Sequence, residues 1–97
     1  GNNCMNMNKK DEFKKELYKC YKEKIKDCVL YYYVWSVSPK WCETTCVVLT
    51  KNTFQIDSHF TLRTDRSFTN KTEIPMSEFK AMLAKAIRGA TNILNGI

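Results

Sequence analysis

The sequence predicts an α+β domain. An antiparallel meander sheet of three to four strands carries an N-terminal and a C-terminal helix packed on it, in the order α-β-β-β-(β)-α. Three observations predict it. Apolar residues recur at helical spacing near both ends of the chain. A β-branched and aromatic run fills 28–37. Two alternating segments flank Lys51-Asn52 with matching register. Ninety-seven residues suit one domain, and a 43% hydrophobic fraction suffices for a packed core.

Residues 1–8 are Asn- and Met-rich without period and are expected to be disordered, leaving 9–97 as a single domain. Gly1 reads as a tag remnant, with Met5 or Met7 as a natural start. Residues 9–26 read as a helix. Phe13, Leu17, Tyr21 and Ile25 form one stripe with Cys20 beside it, and Asp11–Lys15 and Lys19–Glu23 are ion pairs at i,i+4.

Residues 28–37 read as a strand that Pro39 ends. Val29, Tyr31, Tyr33, Trp35 and Val37 point one way, and Leu30, Tyr32 and Val34 the other. A strand apolar on both sides is covered twice or lines an interface.

Residues 44–50 and 53–63 read as a hairpin in which Leu49 meets Phe54 and Val47 meets Ile56. The inward set continues as Ser58, Phe60 and Leu62. The outward set is Gln55, Asp57, His59, Thr61 and Arg63. Asp65-Arg66-Ser67 reads as a turn, and 68–74 as a fourth strand between Phe68 and Ile74.

After Pro75, Ser77 reads as an N-cap for a helix over 78–95, with Glu78 in its first turn. Its stripe is Phe79, Leu83, Ala86, Ala90 and Ile93, flanked by Met82, Ile87 and Leu94. Gly89 allows a close approach to the sheet or the first helix, and Gly96 suits the C-terminal cap.

The net charge is +6, from 16 Lys and Arg against 10 Asp and Glu, which favours nucleic acid or another acidic partner. The excess is spread along the chain, with no polybasic tail. No apolar stretch reaches the roughly 18 residues of a membrane span, so no membrane partner is expected.

Five cysteines (Cys4, Cys20, Cys28, Cys42 and Cys46) cannot all pair internally. Cys42 and Cys46, four apart on an extended segment, stand ~13 Å from each other, too far to bridge or share a metal. The cysteines read as small buried hydrophobes in a reducing, intracellular compartment. The rival is a Cys20–Cys28 bridge in an exported chain, where the sequon Asn70-Lys71-Thr72 would matter.

Signals for catalysis are thin. His59 is the only histidine and faces outward, with no cysteine tied to it by sequence. Asp57, Asp65 and Glu73 read as solvated acids near a turn. Neither a phosphate-cradling glycine loop nor a zinc spacing is present. The chain is therefore read as non-enzymatic and without cofactor or metal.

The segment from Lys71 through Ile74, Met76 and Phe79 to Leu83 and Ile87 resembles the strand-loop-helix ending of single-stranded-DNA-binding transcriptional coactivators and Pur repeats. It covers about a quarter of the chain. The α-β-β-β-α order is also similar to double-stranded-RNA-binding domains and to the Alu-binding subunits of the signal recognition particle. The chain lacks the glycine-rich loop and lysine cluster that the former carry before their last helix. The resemblance implies nucleic acid as the partner and assigns no residues.

The leading expectation is a small basic module that binds single-stranded or structured nucleic acid through a sheet face or the basic first helix. Tyr32 would stack on bases, while Arg63, Arg66, Lys71, Lys51 and Lys40 would hold phosphates. The alternative is a protein-binding or self-associating module, such as a small viral or host-modulating binder. Its interface would be Tyr31, Tyr33 and Trp35 on an exposed aromatic sheet face. The two readings differ in one respect. Nucleic-acid binding needs Arg63, Arg66 and Lys71 on one surface with exposed aromatics. Protein binding needs an apolar patch with the charges scattered.

Overall fold

The computed structural model describes residues 15–51, 53–63 and 68–97. They form a five-stranded antiparallel sheet and one helix. The strands are β1 (Cys20–Ile25), β2 (Cys28–Val37), β3 (Trp41–Leu49), β4 (Phe54–Arg63) and β5 (Thr72–Ile74), and the helix is α1 (Met76–Gly96). The strand order is β4-β3-β2-β1-β5.

The first element corrects the expectation of an N-terminal helix over 9–26. Residues 9–14, with Phe13 and Asp11, lie outside the described residues. Residues 15–18 form a turn, and 20–25 form a strand paired with β2. The reason lies in the spacing. Leu17, Tyr21 and Ile25 stand four apart, which satisfies a helical stripe and also keeps all three on one face of a strand. Cys20, one residue from Tyr21, decides between the two. It is buried on the opposite face from Tyr21, as pleat alternation requires. A two-residue loop, Lys26-Asp27, joins Ile25 to Cys28, and Lys26 takes the positive φ of 52° that a tight hairpin loop asks for. The ion pair expected between Lys19 and Glu23 is replaced by two others. Lys19 reaches Glu73 at 3.7 Å, and Glu23 takes Lys71 at 3.0 Å.

β2 spans the ten residues expected of it. The hairpin register is also as the alternation requires, with Leu49 opposite Phe54 and Val47 opposite Ile56. Two bulges then change the faces. One lies between Val34 and Ser36 on β2, and one lies opposite Thr45, where Ser58 and His59 fall between the pairs Cys46–Asp57 and Thr44–Phe60. Each bulge inserts a residue and flips the rest of its strand to the other face. The expected inward set is thereby split. Phe54 packs on the helix side, whereas Phe60 and Leu62 pack on the other, and Val37 joins them.

The expected fourth strand over 68–74 is strand only at Thr72–Ile74. It pairs with β1 and so lies at the far edge from β4. The meander is therefore β1 to β4, and the connection from β4 to β5 returns across the sheet. Phe68, at the end of that connection, packs edge-on against Tyr21 at 4.8 Å between ring centroids. The turn expected at Asp65-Arg66-Ser67 lies outside the described residues.

Both faces of β2 are covered. On one, Cys20, Tyr31, Val47 and Ile74 meet Phe79 and Ala86 of α1. On the other, Tyr21, Tyr32, Val34, Cys42, Cys46 and Leu62 pack with Phe68. The helix starts two residues before the expected position. Pro75 caps it without a side-chain hydrogen bond, so Ser77 is inside the first turn and not its cap. Gly96 is the last helical residue and holds no positive φ, so it is not a left-handed cap. Gly89 makes no close approach: a methyl group there would meet nothing within 4 Å.

Candidate binding surface

Helix α1 crosses its face obliquely. Its N-terminal end packs beside β1 and β2, where Phe79 faces Tyr33 at 6.0 Å between centroids. Its C-terminal half reaches the start of β4, where Ala86, Gly89, Ala90 and Ile93 line a groove of about 320 Å³ with Thr53 and Phe54. The stripe of α1 then runs on past its cover. At 100° per residue, Ala90, Ile93 and Leu94 continue the face that Phe79 and Ala86 bury. Yet Ile93 is 70% exposed and Leu94 71%, and Ile87 on the same flank is 51% exposed. The helix outruns the sheet that should cover it.

The oblique crossing also leaves the opposite corner of this face without a described element over it. Cys42 pairs with Leu62, and both belong to the second cluster, so the next pair, Trp41 and Arg63, points to the helix side. Glu43 and Thr61 share that side. The Arg63 guanidinium lies 5.5 Å from the Trp41 ring centroid. The β4 bulge puts His59 here as well, with its Nε2 3.2 Å from Glu43 Oε1 and its ring 5.3 Å from Trp35. Trp41 is 48% exposed and Trp35 36%. This corner is an aromatic and polar shelf, bounded by β4, a ten-residue strand that is the sheet's edge among the described residues.

The residues expected to bind nucleic acid are dispersed. Arg63 is on the shelf. Arg66 lies outside the described residues. Lys40 is exposed in the turn before β3, and Lys51 stands at the other end of the sheet with Lys24, Lys26 and Asp27. Tyr32 is 1% exposed, and its hydroxyl donates to Glu23 Oε1 at 3.0 Å. Lys71 has a side chain only 4% exposed, pairs with the same carboxylate oxygen, and sits 5.0 Å above the Tyr32 ring. Of the residues expected at an interface, Tyr31 is buried, Tyr33 is half-buried under Phe79, and Trp35 is exposed on the shelf. Sequence reasoning missed Trp41 and the apolar end of α1 as surface. A tryptophan beside a turn and a stripe that lengthens past its strands were the available signals.

The thiols buried in the second cluster are protected. Burial pushes Cys46 up to about 12, with Asp57 adding and Lys71 opposing, and pushes Cys42 up to about 11 against the opposing Lys71 charge. Thiols held protonated in this way are poor nucleophiles and ligands. Cys20 and Cys28 are free and lie at opposite ends of the β1–β2 hairpin, too far apart to bridge. Among the described residues no three His, Cys, Asp or Glu side chains group to hold a metal, and no helix is long and apolar enough to cross a membrane.

No known protein family, curated protein or solved structure matches this chain.

Proposed function

We propose that this chain is a non-enzymatic protein-binding module, whose contact surface is the uncovered end of α1 together with the shelf around Trp41 and Trp35. One observation carries the reading. The apolar stripe of α1 continues beyond the sheet, leaving Ile87, Ile93 and Leu94 mostly exposed. Their combined exposed area is on the order of 400 Å², within the size range of functional patches on monomers. Among the described residues the basic side chains are scattered, and the buried Lys71 is paired with Glu23.

The test is the fluorescence of a hydrophobic dye such as anilinonaphthalene sulfonate. The chain should bind it, and Ile93→Asp should lower the signal severalfold with the far-ultraviolet circular dichroism unchanged. An undiminished signal would place the apolar surface elsewhere.

A second reading rests on Arg63 stacked over Trp41, an arrangement that also suits an unpaired base beside its phosphate. Under it, Trp41→Ala would weaken binding of a fluorescent single-stranded oligonucleotide about tenfold, since a stacked base contributes about 1–3 kcal/mol. Equal anisotropy curves for the two proteins would remove the shelf from nucleic-acid binding.

A further inference from the structure

We infer that the partner at this surface is a second copy of the same chain, joined edge to edge through β4, with each overhanging helix end lying across the other copy's shelf. The inference deepens the protein-binding reading and rests on it.

Four features point to this occupant. First, among the described residues β4 is an edge strand with nothing paired on its outer side, and its bulge divides it evenly. Phe54–Asp57 lies on one flank and Phe60–Arg63 on the other, four residues each, with Ser58-His59 between. An antiparallel copy can therefore pair flank on flank, with the bulge at the two-fold axis. Second, that axis stands perpendicular to the sheet, so both helices lie on the same face of one continuous ten-stranded sheet. The Phe54 end of each copy then adjoins the Arg63 end of the other. Helix α1 leaves its own sheet above Phe54, and the shelf begins at Arg63 and Trp41. The uncovered helix end and the uncovered corner are thus brought together twice.

Third, the lengths agree. The four steps from Ile93 to the cap residue Ile97 add ~6 Å along the helix axis, and adjacent strands lie ~4.8 Å apart. The end of α1 therefore reaches the first strand across the boundary, where Arg63 stands, and approaches the second, where Trp41 stands. Fourth, the charges complement one another. The last turn of α1 has no basic residue to offset its free carbonyls, and the negative end of the helix dipole meets the Arg63 of the other copy. As for area, Ile87, Ile93 and Leu94 of two copies expose on the order of 800 Å². With Trp41, Phe54 and the β4 backbone the total passes the roughly 1,000 Å² at which specific interfaces begin.

Sedimentation equilibrium on the chain over roughly 5–200 µM, with its cysteines reduced, provides the test, along with Ser58→Cys oxidised in dilute solution. Dimers in sedimentation, near-complete dimeric cross-linking of Ser58→Cys against none for the parent chain, and at least a tenfold weaker association for Leu94→Asp are expected. Leu94 is exposed, so that variant keeps its fold, which circular dichroism checks. A dimer that neither cross-links at position 58 nor weakens with Leu94→Asp would overturn the proposed geometry. A monomer at 200 µM would overturn self-association, and the dye then separates the two readings. Dye binding lost in Ile93→Asp leaves a protein-binding surface with another occupant, whereas no dye binding removes that surface as well.

Discussion

Beside the second core cluster, the Glu23 carboxylate serves two donors at 3.0 Å each, Tyr32 from the sheet and Lys71 from the returning connection. Lys71 is more enclosed than Glu23, at 4% against 14% side-chain exposure. Removing the cation leaves a buried carboxylate short of a partner, which costs more than an intact pair ever contributes. Lys71→Met is therefore expected to lower the unfolding free energy by about 3 kcal/mol, read from urea denaturation. Glu23→Gln with Lys71→Met should recover part of the loss, because no charge is then left alone. Nothing in the sequence marked Lys71 out from the other cations. Its burial depends on which strand β5 joins, a long-range pairing that local pattern does not encode.

At the scale of elements, β2 and the β3–β4 hairpin were legible because each pattern admits one reading. Ten β-branched and aromatic residues fit no amphipathic helix, and Leu49–Phe54 fits one turn register. β1 was not legible, because residues spaced by four satisfy both periods, and only pairing with β2 selects the strand. The bulges were equally hidden, since an inserted residue leaves no compositional trace in 54–63. The stripe of α1 was read correctly as apolar, and its length beyond the strands signalled an uncovered end, but which residues are buried depends on the angle at which the helix crosses the sheet. Gly89 reflects the same mismatch. It sits mid-helix with open space where a methyl group would go. Gly89→Ala should raise the stability of the monomer by about 1 kcal/mol, seen as a higher denaturant midpoint at low protein concentration. A loss would mean that another surface approaches the helix there.

Taken whole, the molecule is a sheet with two dissimilar covers, and acid groups on both sides are held protonated. Burial raises Cys20 on the helix side, and Cys42, Cys46, Tyr21 and Tyr32 on the other. The folded chain thus keeps protons that the unfolded chain releases once pH passes the ordinary thiol value near 9. Stability from these groups is full below that value and is lost as pH climbs through about 11 and 12. The urea midpoint should hold steady from pH 7 to 8.5 and then fall progressively to pH 11. Substituting Cys46 by Val should make the decline shallower. A flat profile above pH 9 would show that the thiols titrate alike in both states. The corner shelf is likewise a property of the whole, because it exists only through the angle at which α1 crosses.

The placement of β5 beside β1 has a consequence for the order of synthesis. The four strands of the meander leave the ribosome in sequence, each next to its neighbour, so their pairing can proceed as they emerge. The last two elements then return to the first. β5 has no edge to join until β1 is seated, and α1 arrives last of all. Until then Tyr31 and Val47 face water. A nascent chain of this protein therefore passes through an interval in which one side of a finished sheet is bare, and it is then that chaperones have most to hold.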